Sequence, residues 1–299
     1  MREELLKSKV PKVRSFISFL SLGALTLGLL AGVAGSPPHG LYPANGHQLF
    51  LSCAGRGQPT VVLESGLAVD HTQWDPVAHI AGIVGTQVCA YDRYGLGESS
   101  RPRFGIALTR TIDQAVDDLH ALLEVAHVNA PYVLTGTSIG GLIVREYARR
   151  FPTDVVGMVL LDSAPDDWDL YTGIETFTED DESFDIAAAS AALRRSDHLG
   201  SRPLVVIEAG DDSSVQAAYA AGKKNFQSYW DSRQLALSEI STNSILAYAP
   251  GVAHGDIGKL PPGLTENAIK LVVNAARDGS QLPGCERTSL PALGTKCRS

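Results

Sequence analysis

The 299-residue sequence predicts an α/β fold, with a mostly parallel central sheet flanked by helices and a short helical lid inserted into it. Two observations carry this prediction. Unbroken apolar runs of strand length, such as Thr60–Glu64 and Val155–Leu161, alternate with amphipathic helical patterns, such as residues 111–126. Strands that are apolar on both faces are typical of a parallel sheet that helices cover on both sides. With 44% hydrophobic residues, the chain can bury one large core.

Sequence patterns in the first half of the chain predict three strands and two helices. Asn45-Gly46 is a typical hairpin turn, and a strand follows it. Thr111 and Gln114 form a capping box, which starts an amphipathic helix. The predicted strands are 49–53, 60–64 and 86–91, and the predicted helices are 74–83 and 111–126.

The second half continues the alternation with one interruption. The predicted strands are 132–134, 155–161, 203–208 and 244–249, and the predicted helices are 142–150, 225–237 and 265–276. Residues 163–202 are acidic at first and then Ala-rich and helical over 186–195. We interpret them as the inserted lid, and the alternative is a solvated connection with no role. Residues 279–299 form a tail that contains Pro and Gly.

Residues 1–35 are predicted to be a targeting segment, which leaves residues 36–299 as a single domain. A basic stretch, Lys7–Arg14, precedes an uncharged apolar run that ends in small residues. This order is typical of a secretory signal peptide. The run is also just long enough to span a bilayer, so an uncleaved membrane anchor is the second interpretation. Both interpretations predict an extracytoplasmic protein, secreted or anchored, and an anchor would contact the membrane.

Charge and motif content exclude several function classes. The formal net charge is −8, and the acidic excess lies outside the basic segment 1–35. An acidic body disfavours nucleic acid and anionic membrane surfaces as partners and is compatible with neutral substrates. The sequence contains no Gly-rich phosphate loop, no metal-ligand spacing and no dinucleotide fingerprint. We therefore predict no cofactor and no metal.

Four cysteines, all beyond the targeting segment, permit two disulfides in an exported chain. They are Cys53, Cys89, Cys285 and Cys297, and three connectivities are possible. We favour Cys53–Cys89 together with Cys285–Cys297. The second pair closes a short loop in a tail that otherwise has little to hold it.

The most specific chemical motif is Gly136-Thr-Ser-Ile-Gly140, which stands between a strand pattern and a helical pattern. A strand that turns into a helix within a few residues forces its middle residue into strained backbone angles, and the two glycines relieve the crowding. The turn holds the serine hydroxyl clear of the sheet at a helix N-terminus, where developing negative charge is favoured. The motif therefore predicts Ser138 as a nucleophile.

Polar residues follow three other predicted strands directly, as Ser138 does. In parallel α/β sheets, reactive residues gather at the carboxyl ends of the strands. The residues concerned are Asp162, Asp211, Asp212 and His254. Their convergence predicts one site that combines a serine, a histidine and an acid.

The order of serine, acid and histidine along the chain resembles that of the α/β-hydrolase superfamily. Four motifs carry the resemblance, over nearly all of residues 41–278: Val61-Val-Leu-Glu-Ser-Gly-Leu67, Tyr91-Asp-Arg-Tyr-Gly-Leu-Gly-Glu-Ser99, Gly136-Thr-Ser-Ile-Gly-Gly141 and the loop of His254. With Cys53 and Cys89, the first two are similar to a bacterial branch of exported or membrane-linked hydrolases. In the family's strand order the strands of these cysteines are neighbours, so the resemblance supports their pairing.

Chemistry and the resemblance together imply a triad, in which His254 takes the proton of Ser138 and an acid orients the imidazole. Two positions are candidates for the acid. The family's commoner position points to Asp212, or to the adjacent Asp211, whereas some members place the acid one strand earlier, which points to Asp162. We favour Asp162, because Val159-Leu-Leu-Asp-Ser163 resembles the strand-end Asp of the branch.

The oxyanion hole is expected from two backbone N–H groups, those of Leu67 and Ile139. Ile139 follows the nucleophile, and Leu67 follows Gly66 in a loop after a predicted strand. The family often has His-Gly where this chain has Ser65-Gly66. A backbone donor does not need the histidine side chain, so the expectation for Leu67 stands.

A proton relay and an oxyanion hole suit acyl transfer through an acyl-enzyme. We therefore predict a serine hydrolase that cleaves carboxylic esters of a small uncharged substrate. The same groups would serve an amidase or an acyltransferase, and the fold does not choose among them. A non-catalytic binding protein on a hydrolase fold is the alternative from another class, and the presence of all three triad residue types argues against it.

Overall fold

Two sheets organise the structure, a computed structural model that describes residues 36–102, 109–180, 182–259 and 263–298. The predicted targeting segment, residues 1–35, lies outside the described residues. The strands are β1 (His39–Ala44), β2 (His47–Ala54), β3 (Thr60–Glu64), β4 (Val88–Tyr91), β5 (Thr109–Thr111), β6 (Tyr132–Thr137), β7 (Val155–Leu161), β8 (Thr176–Glu179), β9 (Glu182–Asp185), β10 (Leu204–Asp211), β11 (Ser244–Ala253) and β12 (Lys296–Arg298).

The larger sheet has nine strands in the order β1-β2-β4-β3-β6-β7-β10-β11-β12. The pairs from β4 to β11 are parallel, and the pairs that involve β1, β2 and β12 with their neighbours are antiparallel. The predicted fold class is therefore confirmed: the sheet is mostly parallel, and helices flank it. The carboxyl ends of the parallel strands meet at one edge of the sheet.

Helices cover the larger sheet on both faces. The helices of the described residues are α1 (Val77–Val84), α2 (Ile112–Val125), α3 (Ile139–Arg150), α4 (Trp168–Thr172), α5 (Ala187–Ser196), α6 (Ser213–Tyr219), α7 (Phe226–Ser238) and α8 (Leu264–Asp278). Side chains of α2, α3, α5 and α7 share one hydrophobic cluster, and those of α1 and α8 share the other. Alternate residues of a strand join opposite clusters: Val62 of β3 joins the first, while Val61 and Leu63 join the second.

Local signals in the sequence set several boundaries. Asn45 and Gly46 turn β1 into β2 with φ values of 46° and 82°, as the hairpin signal predicts. The capping box is also confirmed, because the Thr111 hydroxyl accepts from Gln114 N at 3.1 Å and the Gln114 side chain accepts from Thr111 N at 3.0 Å. The helix predicted over 74–83 is instead a 3-10 turn, His71–Trp74, followed by α1, because a proline at position 76 disfavours helical backbone before it.

Residues 163–202 connect β7 to β10 and are more varied than the predicted helical lid. They contain α4 and α5, but the β8–β9 hairpin lies between these helices. Strand β9 also pairs with β5, which completes a three-stranded sheet. The hairpin was not predicted, because its strands are four residues long and sit in an acidic stretch.

Both favoured disulfides form. Cys53 and Cys89 lie directly opposite each other on β2 and β4, and Cys285 joins Cys297 of β12 in the tail. Strand β12 was not predicted and pairs with β11 at the margin of the sheet. Within the described ranges, the structure contains no helix that is both long and apolar enough to span a membrane.

Candidate active site

Ser138 stands at the turn between β6 and α3, with a backbone φ of 52°. A positive φ is strained for a residue with a side chain. A Cβ on Gly136 would lie 2.6 Å from the Gly140 carbonyl oxygen, and a Cβ on Gly140 would lie 2.6 Å from the Ser65 carbonyl oxygen. The sharp turn therefore requires glycine at both positions, and it places Ser138 on the wall of a cavity.

His254 follows β11 and lies beside the serine. Its Nε2 atom is 3.0 Å from Ser138 Oγ, and its Nδ1 atom is 2.5 Å from Asp162 Oδ2. With Nδ1 protonated, the ring donates to Asp162 and accepts the Ser138 hydroxyl proton at Nε2. Trp230 packs edge-on against the imidazole, with 5.7 Å between the ring centroids. The three side chains therefore form a continuous hydrogen-bonded line.

Asp162 directly follows β7 in a left-handed backbone conformation, with a φ of 46°. Its side chain is fully buried. Its Oδ1 atom accepts from Trp230 Nε1 at 2.9 Å and from Ala209 N at 3.0 Å, while Oδ2 accepts from His254. Burial opposes ionisation of this carboxyl, but the hydrogen bond and charge of His254 outweigh burial and lower the pKa of Asp162. The carboxylate is therefore held ionised where it can stabilise an imidazolium.

Asp212, the alternative acid, lies one strand along at the end of β10. Its Oδ1 atom is 3.8 Å from His254 Nδ1, which is beyond hydrogen-bond distance. Its Oδ2 atom accepts from Gln227 Nε2 at 2.8 Å. Burial, together with the negative charge of Asp162, raises the pKa of Asp212 to about 10. His254 therefore forms its hydrogen bond with Asp162, and Asp212 stays neutral beside this pair.

Asp211, the neighbouring acid, is not part of this cluster. Its side chain is exposed, and its Oδ1 atom accepts from Ser213 N at 3.0 Å at the start of α6. Asp211 therefore serves as a turn residue.

The two expected oxyanion donors both lie on the cavity wall near the serine. Leu67 belongs to the loop after β3, and Ile139 is the first residue of α3. Across the described residues, neither backbone N–H donates a hydrogen bond to another group of the chain. Both are therefore free to meet a substrate oxygen.

The cavity above Ser138 has a volume of about 700 Å³, which suits a ligand of drug-like size. Its wall is largely apolar and aromatic. Several loops form it together with residues 163–202, which we call the inserted segment. Representative lining residues are Val69, Trp168, Phe177, Val215, Tyr219 and Ile257. Glu179 supplies a carboxylate to this wall, and burial raises its pKa.

Helix α7 contributes side chains that sequence reasoning missed. Trp230 binds Asp162, Gln227 binds Asp212, and Gln234 Nε2 donates to the Ser163 carbonyl at 2.8 Å. The three residues are spaced by three and four positions, so they lie on one face of the helix. That spacing was visible in the sequence, but nothing local indicated that this face meets the acids.

Metal-ligating side chains converge at two places within the described ranges. One is the cluster of Asp162, Asp212 and His254 already described, and the other is Asp70, His71 and Asp92. In the second cluster, Asp70 caps the 3-10 turn through Thr72 N, and Asp92 accepts from the backbone and ring of His71. Hydrogen bonds within the chain therefore already occupy these groups.

The sequence is similar to a family of serine hydrolases and to several curated proteins. A family model described as serine aminopeptidase, S33, matches residues 56–175. The uncharacterized protein YqjL of Bacillus subtilis is 32% identical over 170 residues, which cover 53% of this chain and 65% of that protein. A monoacylglycerol lipase of Mycolicibacterium smegmatis is 34% identical over 103 residues, which cover 33% of this chain and 36% of the lipase. The chain thus spans less than two thirds of either curated relative.

Among solved structures, the mouse alpha/beta hydrolase domain-containing protein 10 superposes with a TM-score of 0.56 at 14% identity. The match covers 80% of this chain and 96% of the mouse chain. At this identity the likeness concerns the fold. The match therefore covers more of the chain than the segment that the family model matches.

Proposed function

Because this chain belongs to the α/β-hydrolase superfamily, we propose that it is a serine hydrolase that cleaves carboxylic esters through an acyl-enzyme. The fold and the relatives support hydrolase activity in general. The observation that carries the finer proposal is the line from Ser138 through His254 to Asp162, at 3.0 Å and 2.5 Å, on the wall of an apolar cavity.

In the proposed reaction, Ser138 Oγ attacks the ester carbonyl carbon while His254 Nε2 takes the hydroxyl proton. Asp162 stabilises the resulting imidazolium, and the N–H groups of Leu67 and Ile139 bind the oxyanion. When the tetrahedral intermediate collapses, the imidazolium gives its proton to the departing alcohol. Water then attacks the acyl-enzyme with the same histidine as base, which releases the acid and restores Ser138.

We assign the triad acid to Asp162 and not to Asp212. Only Asp162 lies within hydrogen-bond distance of His254 Nδ1, at 2.5 Å against 3.8 Å. A neutral Asp212 could not stabilise an imidazolium by charge, because its pKa is raised to about 10. The geometry and the protonation state thus support the same assignment.

The cavity supports a small, uncharged and largely apolar ester as substrate. Its volume of about 700 Å³ accommodates an acyl chain with a modest alcohol. The aromatic side chains of Trp168, Phe177 and Tyr219 favour apolar groups, and Glu179 disfavours an anionic substrate. The name of the mycobacterial relative, monoacylglycerol lipase, agrees with an ester substrate.

We also propose that the chain works outside the cytoplasm, secreted or anchored through residues 1–35. The two disulfides are compatible with an oxidising compartment. A cell fractionation that finds the protein only in the cytoplasm would contradict this location.

The proposed function is tested with the purified protein and a series of nitrophenyl esters of short, medium and long acyl chains. We expect turnover that Ser138→Ala abolishes, together with labelling of the wild type by a fluorophosphonate probe. Ser280→Ala, at an exposed loop serine, is the matched control and should retain full activity. Ester turnover that persists in folded Ser138→Ala would overturn the mechanism.

Two other results would redirect the proposal. Amide or aminopeptide cleavage with little ester turnover would favour the activity named by the family model. A folded wild type that neither turns over esters nor reacts with the probe would favour a non-catalytic binding protein.

A further inference from the structure

A buried ion-pair cluster joins the inserted segment to the loop that carries Leu67. Arg93 follows β4, and Glu182 begins β9. The guanidinium donates from Nε to Glu182 Oε1 at 2.6 Å and from Nη2 to Glu182 Oε2 at 2.7 Å. The Arg93 and Glu182 side chains are only 3% and 6% exposed. This is a two-pronged pair, which fixes orientation as well as distance.

The same two side chains hold the backbone on both sides of Leu67. Arg93 donates to the Ser65 carbonyl at 2.8 Å and to the Gly66 carbonyl at 2.6 Å. Glu182 Oε2 accepts from Ala68 N at 2.8 Å. The loop after β3 therefore makes three hydrogen bonds with one ion pair: it accepts two from Arg93 and donates one to Glu182.

The bond to the Gly66 carbonyl acts directly on the expected oxyanion donor. That carbonyl and the Leu67 N–H belong to one planar trans peptide, so they point in opposite directions. Holding the oxygen against Arg93 directs the N–H away from the guanidinium, and Leu67 lies on the cavity wall with its N–H unpaired within the described chain. A cation on the carbonyl also polarises the peptide and makes its N–H a stronger donor.

Charge balance keeps this guanidinium in place. Glu64 accepts from Arg93 Nη1 at 2.5 Å and also from the hydroxyl of Tyr91. Burial alone would lower the pKa of Arg93, but the charges of Glu182 and Glu64 outweigh burial and raise it. Buried ion pairs are costly, and apolar side chains of similar volume would stabilise a fold as well or better. A cluster at this position is explained by the orientation that it imposes on the loop.

We propose that Arg93 and Glu182 are positioning residues, which orient and polarise the Gly66–Leu67 peptide so that the Leu67 N–H stabilises the oxyanion. The inference rests on the proposed hydrolase function. It also gives the inserted segment a role in catalysis, because Glu182 reaches the loop from β9, while the paired strand β8 carries Phe177 on the cavity wall.

The test compares Glu182→Gln with Glu175→Gln, an exposed glutamate of the same segment. For Glu182→Gln we expect kcat to fall about 10- to 100-fold, with KM changed by less than about 3-fold, because the donor acts in the transition state. Glu175→Gln should match the wild type. Rates are expressed per active site, counted from the burst of nitrophenol release, so that unfolded molecules do not lower them.

The affinity for a transition-state analogue distinguishes positioning from a purely structural role, because a structural role would leave this affinity unchanged. A trifluoromethyl ketone forms a tetrahedral adduct with the serine, and its oxygen occupies the oxyanion position. For Glu182→Gln and for Arg93→Lys, which keeps the charge but loses the two-pronged bond, we expect the Ki of the ketone to rise in parallel with the loss of kcat/KM.

The outcomes separate the two proposals. Wild-type kcat and ketone affinity in folded Glu182→Gln, together with loss of activity in Ser138→Ala, would overturn the positioning role alone. Lower burst amplitude with unchanged rate per site and unchanged Ki would also overturn it, because the pair would then only support folding. Ester turnover independent of Ser138 would instead overturn the proposed function.

Discussion

Asp162 and Asp212 have the same side chain and end neighbouring strands, yet their surroundings give them different protonation. Their carboxyl groups come within 4.8 Å of each other in the interior, where two negative charges are unfavourable. Asp162 receives three hydrogen bonds, from His254, Trp230 and Ala209, which favour its ionised form. Asp212 receives one from Gln227 and is the partner that keeps its proton. One residue type therefore supplies both a charge and a neutral neighbour.

This difference predicts unequal effects of the two amide substitutions. Asp162→Asn should lower kcat about 10³- to 10⁴-fold, because it removes the charge that stabilises the imidazolium and allows the wrong tautomer. Asp212→Asn should lower kcat less than about 10-fold, since asparagine resembles the protonated acid. Steady-state ester kinetics on both variants, with folding checked by circular dichroism, measure the difference. A larger loss in Asp212→Asn would reverse the assignment of the acid.

Asp212→Asn should also stabilise the fold, and increasingly so at higher pH. The pKa of Asp212 is about 10 in the folded protein against 3.8 for the ordinary group. A carboxyl whose pKa is raised by folding contributes its full stability below its unfolded pKa. That contribution falls as the pH rises towards 10, because folding must then take up a proton. Asparagine has no such loss. Urea unfolding at pH 5, 7 and 9 should show a growing advantage over the wild type.

Asp211→Asn is the matched control for this pH dependence. Asp211 is exposed, and its pKa is lowered by the hydrogen bonds from Ser213, so it stays ionised from pH 5 to 9 in both states. The stability difference between this variant and the wild type should therefore be constant over that range. An equally flat difference for Asp212→Asn would mean that Asp212 is ionised in the folded protein.

At the scale of elements, the turn between β6 and α3 depends on space that only glycine leaves. The backbone of Gly140 and Gly141 approaches within 2.6–2.8 Å of where a Gly136 Cβ would lie. Helix α1 also contains a glycine, Gly82, but no atom lies within 4 Å of its hypothetical Cβ. The two positions share a residue type and differ in surroundings.

This contrast predicts opposite signs for two alanine substitutions. Gly136→Ala should destabilise the protein by several kcal/mol or abolish activity, because the clash is with backbone atoms. Gly82→Ala should stabilise it by about 0.5–1 kcal/mol, as expected for glycine inside a helix. Chemical denaturation of both variants gives the free energies of unfolding. A fully stable and active Gly136→Ala would show that the turn can relax.

Most of the elements were predictable, because their signals are local. Capping residues, the hairpin turn and apolar runs locate β2, β3, β7, α2 and their neighbours to within a few residues. The β8–β9 hairpin and β12 were not predicted, because long-range contacts stabilise them: β9 pairs with β5, and a disulfide holds β12. The short elements β5, α4 and α6 were not predicted either. Which of the two acids bonds to His254 was not predictable for the same reason. The side chains of α7 that bind Asp162 and Asp212 lie apart from these acids in sequence.

At the scale of the whole molecule, the site joins parts of the chain that lie far apart in sequence. The loop after β3, the turn after β6, and the ends of β7, β10 and β11 meet at one edge of the sheet. This convergence was predictable, because parallel strands in such a sheet place their carboxyl ends together. The cluster of Arg93 and Glu182 was not predictable, since the two residues lie 89 positions apart in sequence.

The two disulfides should contribute unequally to the stability of the whole protein. They span 36 residues for Cys53–Cys89 and 12 residues for Cys285–Cys297. In the chain-entropy account, removing the first pair by double serine substitution costs about 4 kcal/mol and removing the second about 3 kcal/mol. Urea unfolding of the two double variants measures the order. A larger loss for the tail pair would show that β12 contributes packing beyond the constraint on the unfolded chain.

Strand β12 also covers backbone N–H and C=O groups of β11 at the margin of the sheet. An uncovered β11 would present a row of unpaired N–H and C=O groups, on which the strand of another chain could build. Residues 296–298 occupy those groups and place Lys296 and Arg298 at the border. Charged residues on a short border strand oppose the addition of further strands. Because the Cys285–Cys297 bond holds this border strand, we expect its loss to make the protein more prone to aggregate at high concentration.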